Sequence, residues 1–182
     1  MSVAVPSRVG AQTLTRGAMC AALIAVCSWI SIPTTVPFTL QTFAVFLTCE
    51  LMGGAGIWPV ALYILLGAVG VPVFAGFSGG MGPLLGPTGG YIWGFLALAL
   101  TVTGWKKLLG GRLPVVGMAL GLAACYLFGT LWFVRVYAAS SGSVSFAQAL
   151  SWCVLPYIIP DAVKIALARM IGARVKAAIR KQ

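Results

Sequence analysis

Apolar residues run almost without interruption through six stretches of the chain, at about 13–32, 39–54, 56–71, 88–105, 113–138 and 147–171. Each reads as a helix. The second and third are short and lie back to back around the Gly-Gly-Ala-Gly turn at 53–56. A membrane crossing needs roughly 20 apolar residues, so a chain of 182 residues holds about six. The pattern predicts an all-α integral membrane protein with six transmembrane helices in one bundle. It predicts a single membrane domain over 1–182, without a linker and ending in a basic cytoplasmic tail at 172–182. No internal repeat is visible, so an inverted-repeat transporter is not supported.

One stretch between the third and fourth helices departs from this regularity. Residues 71–90, VPVFAGFSGGMGPLLGPTGG, hold seven glycines, three prolines and no charge. Irregular backbone at membrane depth is tolerated only where protein or a water-lined cavity satisfies its polar groups. This Gly/Pro-rich loop is a first pointer to a binding cavity.

Composition removes the main competing class. With 60% hydrophobic residues, 8% charged and a mean hydropathy of +1.03, an ordinary soluble domain is excluded. The net charge of +10 would suit nucleic acid, but its placement argues otherwise. Arg8 and Arg16 precede the first apolar run, and Lys106, Lys107 and Arg112 share one connection. Arg169, Arg174, Lys176, Arg180 and Lys181 crowd the C-terminus. Basic residues are retained on the cytoplasmic side, which puts both termini inside and the 31–38, 71–87 and 139–146 connections outside. The charge reports topology in a lipid bilayer, not a nucleic-acid partner. The basic, then apolar start resembles a signal peptide, but the spans that follow favour a retained first helix.

Few residues can carry chemistry. Asp161 and Lys164 lie within the last apolar segment, in LPYIIPDAVKIALARM. An intramembrane charge costs at least ~2.5–3.5 kcal/mol on insertion scales, so such residues face a cavity or each other. Their i,i+3 spacing puts both on one helical face. Two readings stand: a closed pair that holds the helix in the bundle, or a polar end of a ligand cavity. Pro156 and Pro160 favour the second, with Pro160 expected to disturb the helix just before Asp161. Gln41, beside Thr42 at the start of the second segment, either binds a polar ligand or bridges helices. Tyr91, Trp93 and Trp132 either wall a pocket or anchor span ends. Glu50, the only other acid, is expected to pair with a basic flank. Ala18/Ala22 and Ala21/Ala25 form two overlapping AxxxA patterns on the first helix, a surface for close approach of another helix, within the chain or outside it.

An enzyme is disfavoured. There is no histidine, no nucleophile–base constellation and only two carboxylates. The Gly-rich loop lacks GxxxxGK[ST], so any ATPase is a separate chain. Five cysteines, at 20, 27, 49, 125 and 153, lie in apolar segments without CxxC spacing, and neither a metal site nor a disulfide framework is expected.

Four motifs in order, VPFTLQTFAVFL (36–47), LGAVGVPVFAGFSGG (66–80), GPTGGYIWGF (86–95) and PDAVK (160–164), closely resemble the BioY family. These are the biotin-specific S components of energy-coupling factor (ECF) transporters, and the resemblance covers most of residues 14–171. It implies a six-helix, non-catalytic subunit of the bacterial cytoplasmic membrane. Such a subunit captures biotin with high affinity and works with a transmembrane coupling protein and ATPase subunits, ATP entering only through those partners. The ligand-binding positions it implies are Gln41, Tyr91, Asp161 and Lys164, with Phe43, Phe74, Gly80, Gly89 and Trp132 as candidate walls. The alanine pairs on the first helix correspond to its coupling-partner surface. In AGFSGG, Phe77 stands where a second small residue is expected. Biotin's chemistry suggests Lys164 for the carboxylate and Asp161 for a ureido N–H, with reversed or shared assignments open. The competing readings are an S component for thiamine or riboflavin and a membrane assembly protein.

Overall fold

A computed structural model describes residues 10–33, 37–142 and 144–179. Arg8, Arg180 and Lys181, and Val36 of the first motif, lie outside these residues. The helices are α1 (Ala11–Trp29), α2 (Gln41–Met52), α3 (Ile57–Ala68), α4 (Met81–Leu85), α5 (Gly89–Leu109), α6 (Pro114–Ser141), α7 (Phe146–Cys153) and α8 (Ile158–Ile179). Two short strands, β1 (Ser31–Ile32) and β2 (Phe38–Thr39), pair antiparallel between α1 and α2.

Four helical stretches among the described residues are long and apolar enough to cross a membrane: Ala11–Trp29, Gly89–Leu109, Pro114–Ala139 and Phe146–Ile179. The two remaining segments, α2 and α3, have 12 residues each. At about 1.5 Å per residue they reach roughly 18 Å, against a hydrocarbon core of roughly 30 Å. Burial gives α2 a different role from a simple crossing. Every residue from Ala44 to Glu50 is buried, so this helix is surrounded by protein. It packs against α1, α3, α5 and α8 and forms the centre of the molecule.

Local chemistry sets the ends of the other helices. Pro114 starts α6 at a position whose N–H needs no helical partner. Gly110 ends α5 in the left-handed region at φ +58° and donates its N–H to Lys106. Ser145 and Gln148 cap α7 reciprocally at 3.2 and 3.1 Å.

The last apolar segment is not one helix. It breaks after Cys153, where Val154 (φ −125°, ψ −55°) leads into a 3₁₀ turn at Leu155–Tyr157. Pro156 lies in that turn, whereas Pro160 sits in the first turn of α8. Proline is tolerated in a first turn because the N–H there has no helical acceptor, so the break falls earlier than Pro160 predicts. The expected tail at 172–182 is helical as far as Ile179. The 71–80 segment folds back on itself through the Phe74–Ser78 bridge and a 3₁₀ turn at Ala75–Phe77.

Close helix packing fixes the helix that carries Tyr91. α5 and α6 interlock through small residues: a Cβ on Gly90 would lie 2.3 Å from Trp132, and one on Gly129 would lie 2.2 Å from the Tyr91 ring. Glycines of this kind let membrane helices approach to backbone contact.

Candidate functional site

Charged and polar side chains converge where the first turns of α2, α5 and α8 meet. The break at 154–157 starts α8 inside the bundle and places Asp161 in its first turn, where the helix dipole favours a negative charge. Lys164 follows three residues later on the same face, its Nζ 2.7 Å from Asp161 Oδ1. Both are buried, at 3% and 5% exposure. Lys164 also donates to the Thr39 carbonyl at 2.7 Å and to Thr42 Oγ1 at 2.9 Å. Its ammonium lies 4.2 Å from the centre of the Phe38 ring, a cation–π distance.

Asp161 is equally well provided. Thr42 donates to Oδ1 at 3.0 Å and Tyr126 to Oδ2 at 2.6 Å. Three ammonium protons thus meet three acceptors, and both carboxylate oxygens are engaged. Removing either partner of such a pair leaves an uncompensated buried charge.

Gln41, at the start of α2, donates through Nε2 to the Tyr63 hydroxyl at 2.6 Å. That hydroxyl donates to the Val73 carbonyl at 3.1 Å and ties the α2 start to the 71–80 segment. On α5, the Tyr91 hydroxyl lies 3.1 Å from Thr130 Oγ1.

Gln41, Tyr91, Asp161 and Lys164 all line one cavity of about 100 Å³. The two readings of Asp161 and Lys164 are therefore not exclusive, because the residues pair with each other and still face a cavity. The five candidate wall residues are elsewhere. Phe74 is buried with its ring edge-on to Tyr63, and Phe43 packs on the core. Gly80 donates to the Gly67 carbonyl, Gly89 abuts the Leu84 carbonyl, and Trp132 covers Gly90 while donating to the Gly86 carbonyl. The walls come instead from Phe38, Ala75, Ile92, Phe95, Tyr126 and Tyr157. Helical spacing carried a signal for two of these, since Phe95 lies four residues after Tyr91 and Tyr157 four before Asp161. Tyr126 lies on another helix, and no spacing joins it to Asp161.

The alanine pairs separate. Ala18 and Ala22 are exposed, whereas Ala21 and Ala25 are buried at 3% and 7%. The inward pair is internal packing, which leaves Ala18/Ala22 as the pair open to a partner. Glu50 meets more than the single basic flank expected. It lies 2.6 Å from Lys176, 2.9 Å from Arg169 and 3.7 Å from Lys106.

Four helical stretches long and apolar enough to cross a membrane, around a small cavity with a buried ion pair, are the build of a multi-pass membrane protein. The BioY family model matches residues 1–181, and the chain belongs to that family. It is 40% identical over 161 residues to a probable biotin transporter of Pyrococcus horikoshii, covering 87% of this chain and 93% of the relative. It is 39% identical over 169 residues to the biotin transporter of Thermotoga maritima, covering 91% and 96%. Its fold matches a crystal structure of the S component for biotin from an ECF-type ABC transporter. That match has a TM-score of 0.81 and 25% identity, over 98% of this chain and 96% of the other.

Proposed function

We infer that this chain is the biotin-specific substrate-binding subunit of an ECF transporter, and not an enzyme. Membership of the BioY family carries this reading. The finer proposal concerns how biotin is held. Asp161 and Lys164 touch at 2.7 Å, so they cannot each meet one end of an extended molecule roughly 8–10 Å long, a length set by bonds near 1.5 Å. This contact favours the shared assignment over opposed ends. A ureido ring presents N–H donors beside a carbonyl acceptor, which complements a carboxylate acceptor beside an ammonium donor. A ligand carboxylate offers only acceptors and would be repelled by Asp161. Asp161 and Lys164 therefore grip the ureido ring, while Tyr91, Ile92 and Phe95 flank the apolar part of biotin.

Pockets for small molecules usually start at roughly 300 Å³. At about 100 Å³, this cavity admits biotin only when lining segments move outward. The 71–80 segment, which contributes Ala75, and the 37–39 segment, which contributes Phe38, are the ones that move.

Six segments then traverse the bundle, with α2 and α3 as the short pair and α7–α8 as one broken crossing. Arg16, Lys106, Arg169 and Lys176 line hollows at one end of the bundle. The positive-inside rule makes that end cytoplasmic, with both termini, and leaves the biotin cavity toward the outside. Exposed Ala18 and Ala22 meet the coupling protein, and ATP acts only through the ATPase partners.

Equilibrium binding to the purified chain tests the reading. Biotin is expected to bind tightly, with at least about tenfold loss in Lys164→Ala and in Asp161→Asn, the scale of one charge-assisted hydrogen bond. Biotinamide, which lacks the carboxylate charge, is expected to bind within a few-fold of biotin. Loss of biotinamide binding with retention of biotin would return the pair to the carboxylate. No binding of biotin by the folded chain would reject the function.

A further inference from the structure

The end of the bundle opposite the biotin cavity carries a second polar site that biotin binding does not use. Glu50, near the end of the buried helix α2, is 2% exposed. Three cations reach it: Lys106 from α5, and Arg169 and Lys176 from α8. One carboxylate balances one of them, so two positive charges remain in excess. Among the described residues, Arg169 and Lys176 each place one N–H on Glu50, which leaves donors to spare. Their side chains are 39% and 45% exposed, at the rim of a hollow of about 830 Å³ with Glu50 at its base.

This basic hollow does not stand alone. Lys176 also lines a neighbouring groove of about 590 Å³ between α1, the end of α2 and α8. Met19, Leu23, Leu51, Val175 and Ile179 make that groove apolar, and Arg16 stands on it with Lys176. A hollow with excess positive charge joins an apolar channel through one shared lysine. The arrangement matches a molecule with an anionic head and a hydrocarbon tail. Basic pockets between membrane helices bind acidic lipid headgroups in this way.

We propose that the Lys106–Arg169–Lys176 hollow and the adjoining α1–α8 groove bind one anionic phospholipid, with the phosphate beside Arg169 and Lys176 and an acyl chain along Leu23, Leu51 and Ile179. Glu50 moderates the site. It keeps the three cations together when no anion is bound, and it weakens an incoming phosphate by its own charge.

Native mass spectrometry of the full chain, titrated with phosphatidylglycerol or phosphatidylcholine in mild detergent, tests this. One phosphatidylglycerol is expected to be retained in preference to phosphatidylcholine. A lysine or arginine near an anionic headgroup contributes about fivefold in affinity, so Arg169→Gln and Lys176→Gln should each weaken retention by about that factor. Glu50→Gln should strengthen it, opposite to what a purely structural carboxylate would do. Arg135→Gln, an exposed cation on α6, should change nothing. Thermal unfolding of each variant verifies that it is folded, independently of biotin. Equal retention of the two lipids, equal loss in Arg135→Gln, displacement by inorganic phosphate alone, or weaker retention in folded Glu50→Gln would each overturn the proposal.

Discussion

Lys164 has three donors and three acceptors, and that balance decides what its replacement does. In Lys164→Ala, Asp161 keeps only the hydroxyls of Thr42 and Tyr126, and a buried carboxylate without its cation costs about 3–5 kcal/mol of stability. Asp161→Asn/Lys164→Met removes both charges and should unfold at a higher temperature than Lys164→Ala while still failing to bind biotin. A double variant no more stable than the single one would show that the pair contributes nothing through its charge balance. Tyr126→Phe removes one hydrogen bond to a charged acceptor, worth about 1.5–3 kcal/mol. If Asp161 must stay in place to meet the ureido ring, Tyr126→Phe weakens biotin binding although its hydroxyl is replaced by nothing larger, and a binding isotherm unchanged from the parent would refute that.

Helix by helix, the cavity depends on how closely α5 and α6 approach. A methyl on Gly129 would enter the Tyr91 ring, and overpacking of this kind costs about 1–3 kcal/mol. Gly129→Ala should lower the thermal midpoint and, by turning Tyr91 out of the cavity wall, reduce biotin affinity as well. Stability lost with affinity intact would mean that Tyr91 does not contact the ligand. This scale also shows what the sequence could and could not reveal. Long apolar runs and the lone Asp161–Lys164 pair were legible, because lipid and buried charge leave few alternatives. The burial of α2 was not, since an apolar helix reads the same whether it faces lipid or protein. The position of the break before α8 is not legible either, because Pro160 and Pro156 look alike until a helix start is known. Tyr126 carries no sequence signal because its partner is 35 residues away on another helix. Whether the Gly-rich loop caps a ligand or packs is not legible either, and in the fold Gly80 and Gly89 make backbone contacts.

Across the whole molecule, α1 links an exposed small-residue face to the cavity proposed for biotin. Ala18 and Ala22 face outward on this helix, and at its far end Trp29 stacks on Phe77 with ring centroids 5.0 Å apart and donates to the Pro72 carbonyl. Phe77, at φ +56°, sits in a conformation that favours glycine, so the stack offsets backbone strain in the segment that brings Ala75 to the cavity. A partner that docks on α1 thus holds the helix against which the cavity's own loop is fastened. The two alanine pairs provide the test. Ala18→Leu/Ala22→Leu adds bulk only to the exposed face, and the purified variant should bind biotin as the parent does. In cells that supply the coupling protein and ATPases, the same variant should fail to take up biotin and should not co-purify with the coupling protein. Ala21→Leu/Ala25→Leu adds bulk to the packed face and should instead destabilise the isolated chain by about 1–3 kcal/mol per side chain, seen as a lower thermal midpoint. Uptake that survives Ala18→Leu/Ala22→Leu would place the partner on another face, and the Trp29–Phe77 stack would then have no connection to docking.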